Sequence, residues 1–309
     1  MSGPVAPAPE RPAARRAWNV LQLLRWTTGH FAERGIESAR LDAECLLAHA
    51  LGTTRLRLYL DFEKPVEEAE RAVFRELVRR RVAERVPVSQ LVGRKEFWSL
   101  PLRVTRDVLT PRPETETLVA AALELLPPRG VAAPRVLDLG TGSGAIALAL
   151  ASERPDAAVV ATDLSQEALK VAQQNAEELG MAERIRFAQG DGFAAVAGQR
   201  FDAVVSNPPY LDPAERSQLP PELSHEPQSA LFADAGGLEL LRRIASEAPS
   251  WLESGGALIL EHAPDQAEAV ARACSEAGLT EIALRRDLSG KPRVTTARRA
   301  RDSGPRGGG

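Results

Sequence analysis

The chain has 309 residues, enough for one large or two ordinary domains, and is 44% hydrophobic and 26% charged, as a soluble globular protein is. A net charge of −3 at pH 7 argues against the strongly basic surface of a protein that grips nucleic acid by charge. Two cysteines, Cys45 and Cys274, exclude a disulfide framework, and no apolar run approaches the roughly 20 residues that span a bilayer, so a reducing, cytoplasmic setting is expected.

Residues 1–17 are rich in Pro, Ala and Arg and lack the apolar core of a signal peptide. They read as a disordered tail, as does 299–309. From residue 18 to 85 the apolar spacing is helical. Trp18, Leu21, Leu24 and Trp26 begin one helix. Ser38 caps a second, with Leu41, Cys45, Leu46 and Ala48 inward and Gly52 as its stop. A third runs from Pro65 through Val66, Phe74, Leu77, Val78 and Val82. The bundle carries no catalytic grouping; a cap or lid is the plainer reading, and substrate docking is the sharper expectation. In residues 86–110, Pro87, Gly93 and Pro101 punctuate Phe97-Trp98 and Leu102-Arg103-Val104, which predicts a β-hairpin linker. Thr110-Pro-Arg-Pro-Glu-Thr-Glu-Thr117 then enters a helix with Leu118, Val119, Ala122 and Leu125, stopped by Pro127-Pro128. Strands and helices alternate from Arg135 to residue 298. Strands are expected at 135–139, 158–162, 184–187, 201–206 and 257–260, with further candidates at 281–284 and 293–297. Such alternation predicts an α/β fold with a doubly wound, mostly parallel sheet and helices on both faces.

The first of these strands runs into Gly140-Thr141-Gly142-Ser143-Gly144 and then a helix from Ala145. Glycines allow a tight turn and close backbone approach to a ligand, and the helix start offers free N–H groups. The spacing is G-x-G-x-G, which disfavours a dinucleotide oxidoreductase. Asp163 ends the second strand, 23 positions after Gly140, where an acid can accept hydrogen bonds from ribose hydroxyls. Asp191-Gly192-Phe193 ends the third. Asp191 is placed either to take an adenine amino group or to cap the following helix, and Phe193 to cover the ring. Glycine loop, ribose acid and a third strand-end acid fit S-adenosylmethionine (AdoMet). No metal-ligand spacing is present.

The fourth strand ends abruptly in Asn207-Pro208-Pro209-Tyr210. Proline fixes φ and removes a donor, so two in a row make a stiff loop with free carbonyls at a strand's carboxyl end. That is where ligands bind in open α/β sheets. An amide, adjacent carbonyl acceptors and an aromatic ring suit a planar –NH2 group. A turn that merely closes the strand is the plainer reading, and the glycine loop upstream favours a site. His262, at a later strand end, reads as structural.

The chain resembles the HemK/PrmC family, AdoMet-dependent methyltransferases that modify a glutamine of peptide-chain release factors. The likeness covers roughly residues 18–298. It rests on Asn207-Pro-Pro-Tyr210 with Leu137-Asp-Leu-Gly-Thr-Gly-Ser-Gly144, and on Glu96-Phe97-Trp98 and Thr110-Pro-Arg-Pro-Glu-Thr-Glu116. His225-Glu226-Pro227, Leu260-Glu261-His262 and Gly290-Lys-Pro-Arg-Val-Thr295 add to it. Thr110 and Pro292 are small departures. The resemblance implies a class I AdoMet-dependent methyltransferase fold (Rossmann-like, seven-stranded), with a helical N-terminal domain and a hairpin linker. It implies class 1 release factors as protein substrates, modified at the glutamine of a Gly-Gly-Gln tripeptide. Gly140, Thr141, Gly142, Ser143, Gly144, Asp163, Asp191, Gly192, Phe193 and Asn207 are expected at AdoMet. Asn207, Pro208, Pro209 and Tyr210 are expected at the substrate amide. Arg112, Glu114, Glu116 and Phe97 stay between pocket-shaping and structural roles. The main rival is an amino methyltransferase of flipped nucleic-acid bases. It is disfavoured by the charge and by the lack of a basic target-recognition region. A non-catalytic AdoMet-binding regulator is disfavoured by the intact Asn-Pro-Pro-Tyr.

Overall fold

The computed structural model describes residues 18–130 and 133–302. The tail expected at 1–17 lies outside the described residues, as does 303–309. The chain divides between Val92 and Gly93 into two compact units.

The first unit holds α1 (Val20–Ala32), α2 (Ala39–Ala50), α3 (Arg55–Leu60), α4 (Glu68–Ala83) and α5 (Val88–Val92). The three expected helices are present, with two short ones beside them. Thr54 starts α3 by accepting a hydrogen bond from the Arg57 N–H at 3.3 Å. Pro87, expected to open the hairpin linker, instead opens α5, because its carbonyl accepts the N–H groups of Gln90 and Leu91. Pro65 lies outside α4 and forms a bridge with Asn19. Leu24, Phe31, Leu46, Leu47, Leu58 and Phe74 make the core. Leu41 was expected inward but is exposed, because Ala39, Ala43, Leu46 and Leu47 form the stripe that faces in.

The second unit opens with a hairpin of β1 (Arg94–Phe97) and β2 (Leu100–Arg103). Its turn residues Trp98 and Ser99 both take positive φ, 51° and 59°, which matches the twist of a two-residue hairpin loop. The hairpin spans less than the expected 86–110. A 3-10 turn, Pro113–Thr115, leads into α6 (Glu116–Leu125). There follow β3 (Arg135–Leu139), α7 (Ala145–Glu153), β4 (Ala158–Asp163), α8 (Gln166–Glu178), β5 (Ile185–Gln189) and β6 (Phe201–Ser206). The short turn α9 (Asp234–Gly237), α10 (Glu239–Glu247), β7 (Leu252–Glu261), α11 (Ala267–Glu276), β8 (Thr280–Arg286) and β9 (Pro292–Arg298) complete it. The sheet is seven-stranded in the order β5-β4-β3-β6-β7-β9-β8, parallel from β5 to β7, with β9 antiparallel to both its neighbours.

Alternate residues along each strand serve opposite layers. Val136, Val159 and Val205 pack with α6, α7 and Phe97 on one face. Leu137, Val160 and Val204 pack with α10 and α11 on the other. With both faces covered, the central strands read as continuous apolar runs, which is why the sequence exposes them. Every residue of α7 from Ala145 to Ala151 is buried, and its alanines permit that close fit. Residues 299–302, expected in the tail, are held to the sheet. β7 starts at Leu252, so Gly256 and Ser254 remain as partners for the Arg299 and Asp302 N–H groups.

Candidate active site

Strand register builds the site. Leu139 of β3 pairs with Thr162 of β4 and Ser206 of β6, and Ser206 pairs with Leu260 of β7. The next residue in each strand is therefore Gly140, Asp163, Asn207 or Glu261, side by side at the carboxyl edge. Beyond β3 the chain crosses to β4, while β6 lies on its other side. A sheet opens a crevice for ligands at such a switch point. Here the crevice is a cavity of about 570 Å³, walled in part by Gly140, Gly142, Asp163, Asp191, Phe193, Asn207 and Pro208.

The glycine loop divides its labour. Gly140 and Gly142 have φ of 73° and 55°, and an added Cβ would meet nothing within 4 Å at either. They present bare backbone to the cavity. Thr141 turns inward and donates its hydroxyl to Asp138 Oδ2 at 2.6 Å. Ser143 is buried, with its carbonyl accepting from Asn175 Nδ2 at 2.8 Å. Gly144 closes on α8, where a Cβ would stand 3.1 Å from that of Ala172. Thr141, Ser143 and Gly144 thus shape the loop and lie outside the wall. Asp138 is wholly buried, which pushes its carboxyl up to about 7 against the pull of the Thr141 hydroxyl.

Asp163 fastens the loop to β4. Its Oδ2 accepts the Gly142 N–H and its Oδ1 the Ser165 N–H, both at 2.9 Å. Each oxygen keeps further acceptor capacity, and Asp163 lines the cavity. Asp191 makes no helix-capping bond. It pairs with Arg243 of α10 at 2.9 Å, and Arg243 in turn reaches Glu247 at 3.1 Å. Gly192 takes a φ of 55°, the left-handed region that favours glycine, with the Arg243 guanidinium 3.2 Å from where a side chain would begin. Phe193 stacks on Trp251 with ring centroids 5.3 Å apart. Sequence reasoning missed Arg243, Glu247, Val108 and Leu109 in the wall. No local motif marks them, because they arrive from two segments, α10 and the loop after the hairpin, that lie outside the strand ends.

At the other end, Asn207 Nδ2 donates to Thr115 Oγ1 at 3.2 Å, which leaves Oδ1 as its available acceptor. Pro208 and Pro209 also line the cavity. Tyr210 stands beside the cavity, not in its wall. Its hydroxyl donates to Glu261 Oε1 at 3.4 Å and its carbonyl accepts Gln266 Nε2 at 2.9 Å. A Cβ on Gly237 would sit 1.9 Å from that same carbonyl, so the loop rests directly on a glycine backbone. Glu261 is buried, which lifts its carboxyl to about 7. His262 is buried neutral, lowered by burial. Its Nδ1 donates to the Ala263 carbonyl, so Nε2 accepts from the Thr295 hydroxyl, both at 2.8 Å. The expected structural role fits.

The Pro-Arg-Pro-Glu-Thr-Glu block supports both ends of this loop. Arg112 donates to the buried Glu226 at 2.6 Å, and Thr110 bonds the same carboxyl through side chain and backbone. Burial still holds Glu226 above the usual carboxyl range. Glu116 caps the Trp98 N–H of the hairpin at 2.9 Å. Phe97 is in the core and away from the cavity.

Comparison with known proteins gives the same picture. Residues 22–93 match the PrmC N-terminal domain and residues 117–237 the methyltransferase small domain. A release factor glutamine methyltransferase of Rhodopirellula baltica is 44% identical over 289 residues, covering 92% of this chain and 97% of that protein. The chain belongs to the release factor glutamine methyltransferase family. Another member, from Bordetella pertussis, is 47% identical over 257 residues, 83% of this chain and 93% of its own. Among solved structures, the hMettl16 catalytic domain aligns with a TM-score of 0.55 at 15% identity, covering 77% of this chain and 84% of that one. That likeness concerns the methyltransferase fold alone. Among the described residues of this family member, no helix is long and apolar enough to cross a membrane.

Proposed function

We propose that this chain transfers the methyl group of AdoMet to the side-chain amide nitrogen of the glutamine in the Gly-Gly-Gln motif of class 1 peptide-chain release factors. The observation that carries the proposal is Asn207. Its free Oδ1 stands at the switch point, in the wall that the glycine loop and Asp163 share. The substrate class follows from the relatives, which bear the name release factor glutamine methyltransferase.

The residues fit AdoMet, whose sulfonium supplies an already electrophilic methyl. A cavity of about 570 Å³ suits a ligand of that size. Gly140 and Gly142 offer open backbone to the methionine part, and Asp163 offers carboxylate lone pairs to ribose hydroxyls. Asp191 and Phe193, at the far end, serve adenine. The chain's own work is alignment. A glutamine amide nitrogen is a poor nucleophile, because its lone pair is shared with the carbonyl. Asn207 Oδ1 and the Pro208 carbonyl accept its two N–H bonds, fix its plane and aim it for in-line displacement. Pro209 stiffens the loop, and Tyr210 braces it through Glu261. No group takes a proton before transfer, since the methylated intermediate is more acidic and releases it afterwards. The helical unit, which ends at Val92, docks the protein substrate. A cytoplasmic setting goes with this reading.

Methyl transfer from radiolabelled AdoMet to purified release factor tests it, beside the Gly-Gly-Gln glutamine-to-alanine variant and unmodified DNA. Label on the wild-type factor alone is expected. Label on DNA and none on the factor would transfer the site to a flipped base.

A further inference from the structure

Thr115 has no part in the chemistry above, yet it stands behind the acceptor that does. It is buried in the turn that opens α6, where Pro113 fixes the first position. Its Oγ1 accepts the hydrogen bond from Asn207 Nδ2 at 3.2 Å. A hydroxyl that accepts there still has one proton to place, and Glu261, which the strand register sets beside Asn207, is the carboxyl that interacts with it. The same carboxyl takes the Tyr210 hydroxyl. Arg293 of β9 and Glu114 of the same turn are charged groups near Glu261, and Arg112 acts on the Tyr210 that bonds it.

This arrangement decides a question that geometry alone leaves open. An asparagine amide has nearly the same shape with its oxygen and nitrogen exchanged. A lone hydroxyl would tolerate either, because it can donate to Oδ1 or accept from Nδ2. Once its proton is directed to Glu261, it can only accept. Nδ2 must then face Thr115, and Oδ1 is left for the substrate. With the amide reversed, Nδ2 would meet a substrate N–H, donor against donor.

We propose that Thr115 is a positioning residue: its hydroxyl, polarised by Glu261, sets the direction of the Asn207 amide so that oxygen meets the substrate nitrogen. This rests on the methyl-transfer reading above. The order of polarity runs from Glu261 through Thr115 and Asn207 to the substrate, and it joins two sequence blocks that lie 92 residues apart.

Thr115→Val, which keeps the shape and removes the hydroxyl, is compared with Thr115→Ser and wild type. Two readouts are taken. The first is kcat and KM for the release factor, with AdoMet affinity by calorimetry. The second is the Asn207 side-chain NH2 signal in ligand-free, 15N-labelled protein. Leaving Nδ2 without an acceptor makes the productive orientation unfavourable, so T115V is expected to lose about tenfold or more in kcat. AdoMet affinity should hold within about twofold, and T115S should recover most of the turnover. The Asn207 NH2 protons should exchange faster in T115V only. If T115V melts below the assay temperature, Thr115→Ala carries the same expectations. Wild-type kcat in T115V, or an equal fall in T115S, would overturn the proposal. So would an unchanged Asn207 NH2 signal. A wild-type protein that transfers no methyl would instead defeat the functional reading, and the NH2 comparison would still decide the relay.

Discussion

Replacing Glu261 by Gln should make the protein more stable above neutral pH. The carboxyl is buried at the end of a central strand, and among the described residues Oε2 has no hydrogen-bond partner. Burial is the largest influence and lifts its pKa from 4.5 to about 7, outweighing Thr115, Arg293 and Tyr210. The folded protein thus binds this proton more tightly than the unfolded chain does. The stability it contributes is fully present below pH 4.5 and is lost as the pH rises through about 7. At about 1.4 kcal/mol per pH unit, the loss is about 3 kcal/mol by pH 8. Glutamine keeps an acceptor for Tyr210 and mimics the neutral acid at every pH. The variant should match wild type at pH 4.5 and gain about 3 kcal/mol at pH 8, or about 6–12 °C in Tm for a unit of this size. Urea unfolding and calorimetry at pH 4.5, 6 and 8 measure it. Asp138 titrates in the same range, but it does so in both proteins and cancels in the difference. Parallel stability curves for the two proteins would refute the reasoning.

Other perturbations separate the site's parts. Asn207→Ala should cut kcat by about 10² or more and leave Tm nearly unchanged, read by the radiolabel assay with a melting curve. Gly237→Ala forces a methyl onto the Tyr210 carbonyl and should destabilise by about 1–3 kcal/mol or more, with turnover falling with it. In Gly142→Ala the new methyl meets no protein atom, so strain costs only about 1 kcal/mol, while calorimetry should show AdoMet affinity weakened by about tenfold or more. Arg112→Met removes the cation beside the buried Glu226 and should cost about 2 kcal/mol at pH 8, and less as the pH falls and that carboxyl takes up a proton.

The sheet was legible because its strands are buried on both faces and so appear as runs such as Val136-Leu137 and Val204-Val205. The short helices α3 and α5 were not, since a cap at Thr54 and a turn from Pro87 resemble loop punctuation. The cavity's main residues were readable because glycine, acid and Asn-Pro-Pro stand at strand ends, where the fold gathers ligands. Tyr210 was expected at the substrate amide, and the partner of its hydroxyl, Glu261, lies 51 residues away and could not be read from the motif. Arg243 and Thr115 act through contacts with residues distant in sequence, so no spacing rule announces either. The glycine loop, read as one ligand-facing unit, has only Gly140 and Gly142 in the wall, because Thr141 and Ser143 are buried and Gly144 packs on α8.

The row formed by Leu139, Thr162, Ser206 and Leu260 works as a ruler. Four functional positions depend on four strands stopping at one common mark. Sliding any strand by a single residue would point its side chains at the opposite layer and also move its terminal group out of line. Surface helices can lengthen, and loops can accept insertions, without disturbing the mark. An inserted residue within β3, β4, β6 or β7 cannot be absorbed in the same way. A scan of single-residue insertions along the chain should therefore show these strands as narrow intolerant bands, with the connecting segments far more permissive.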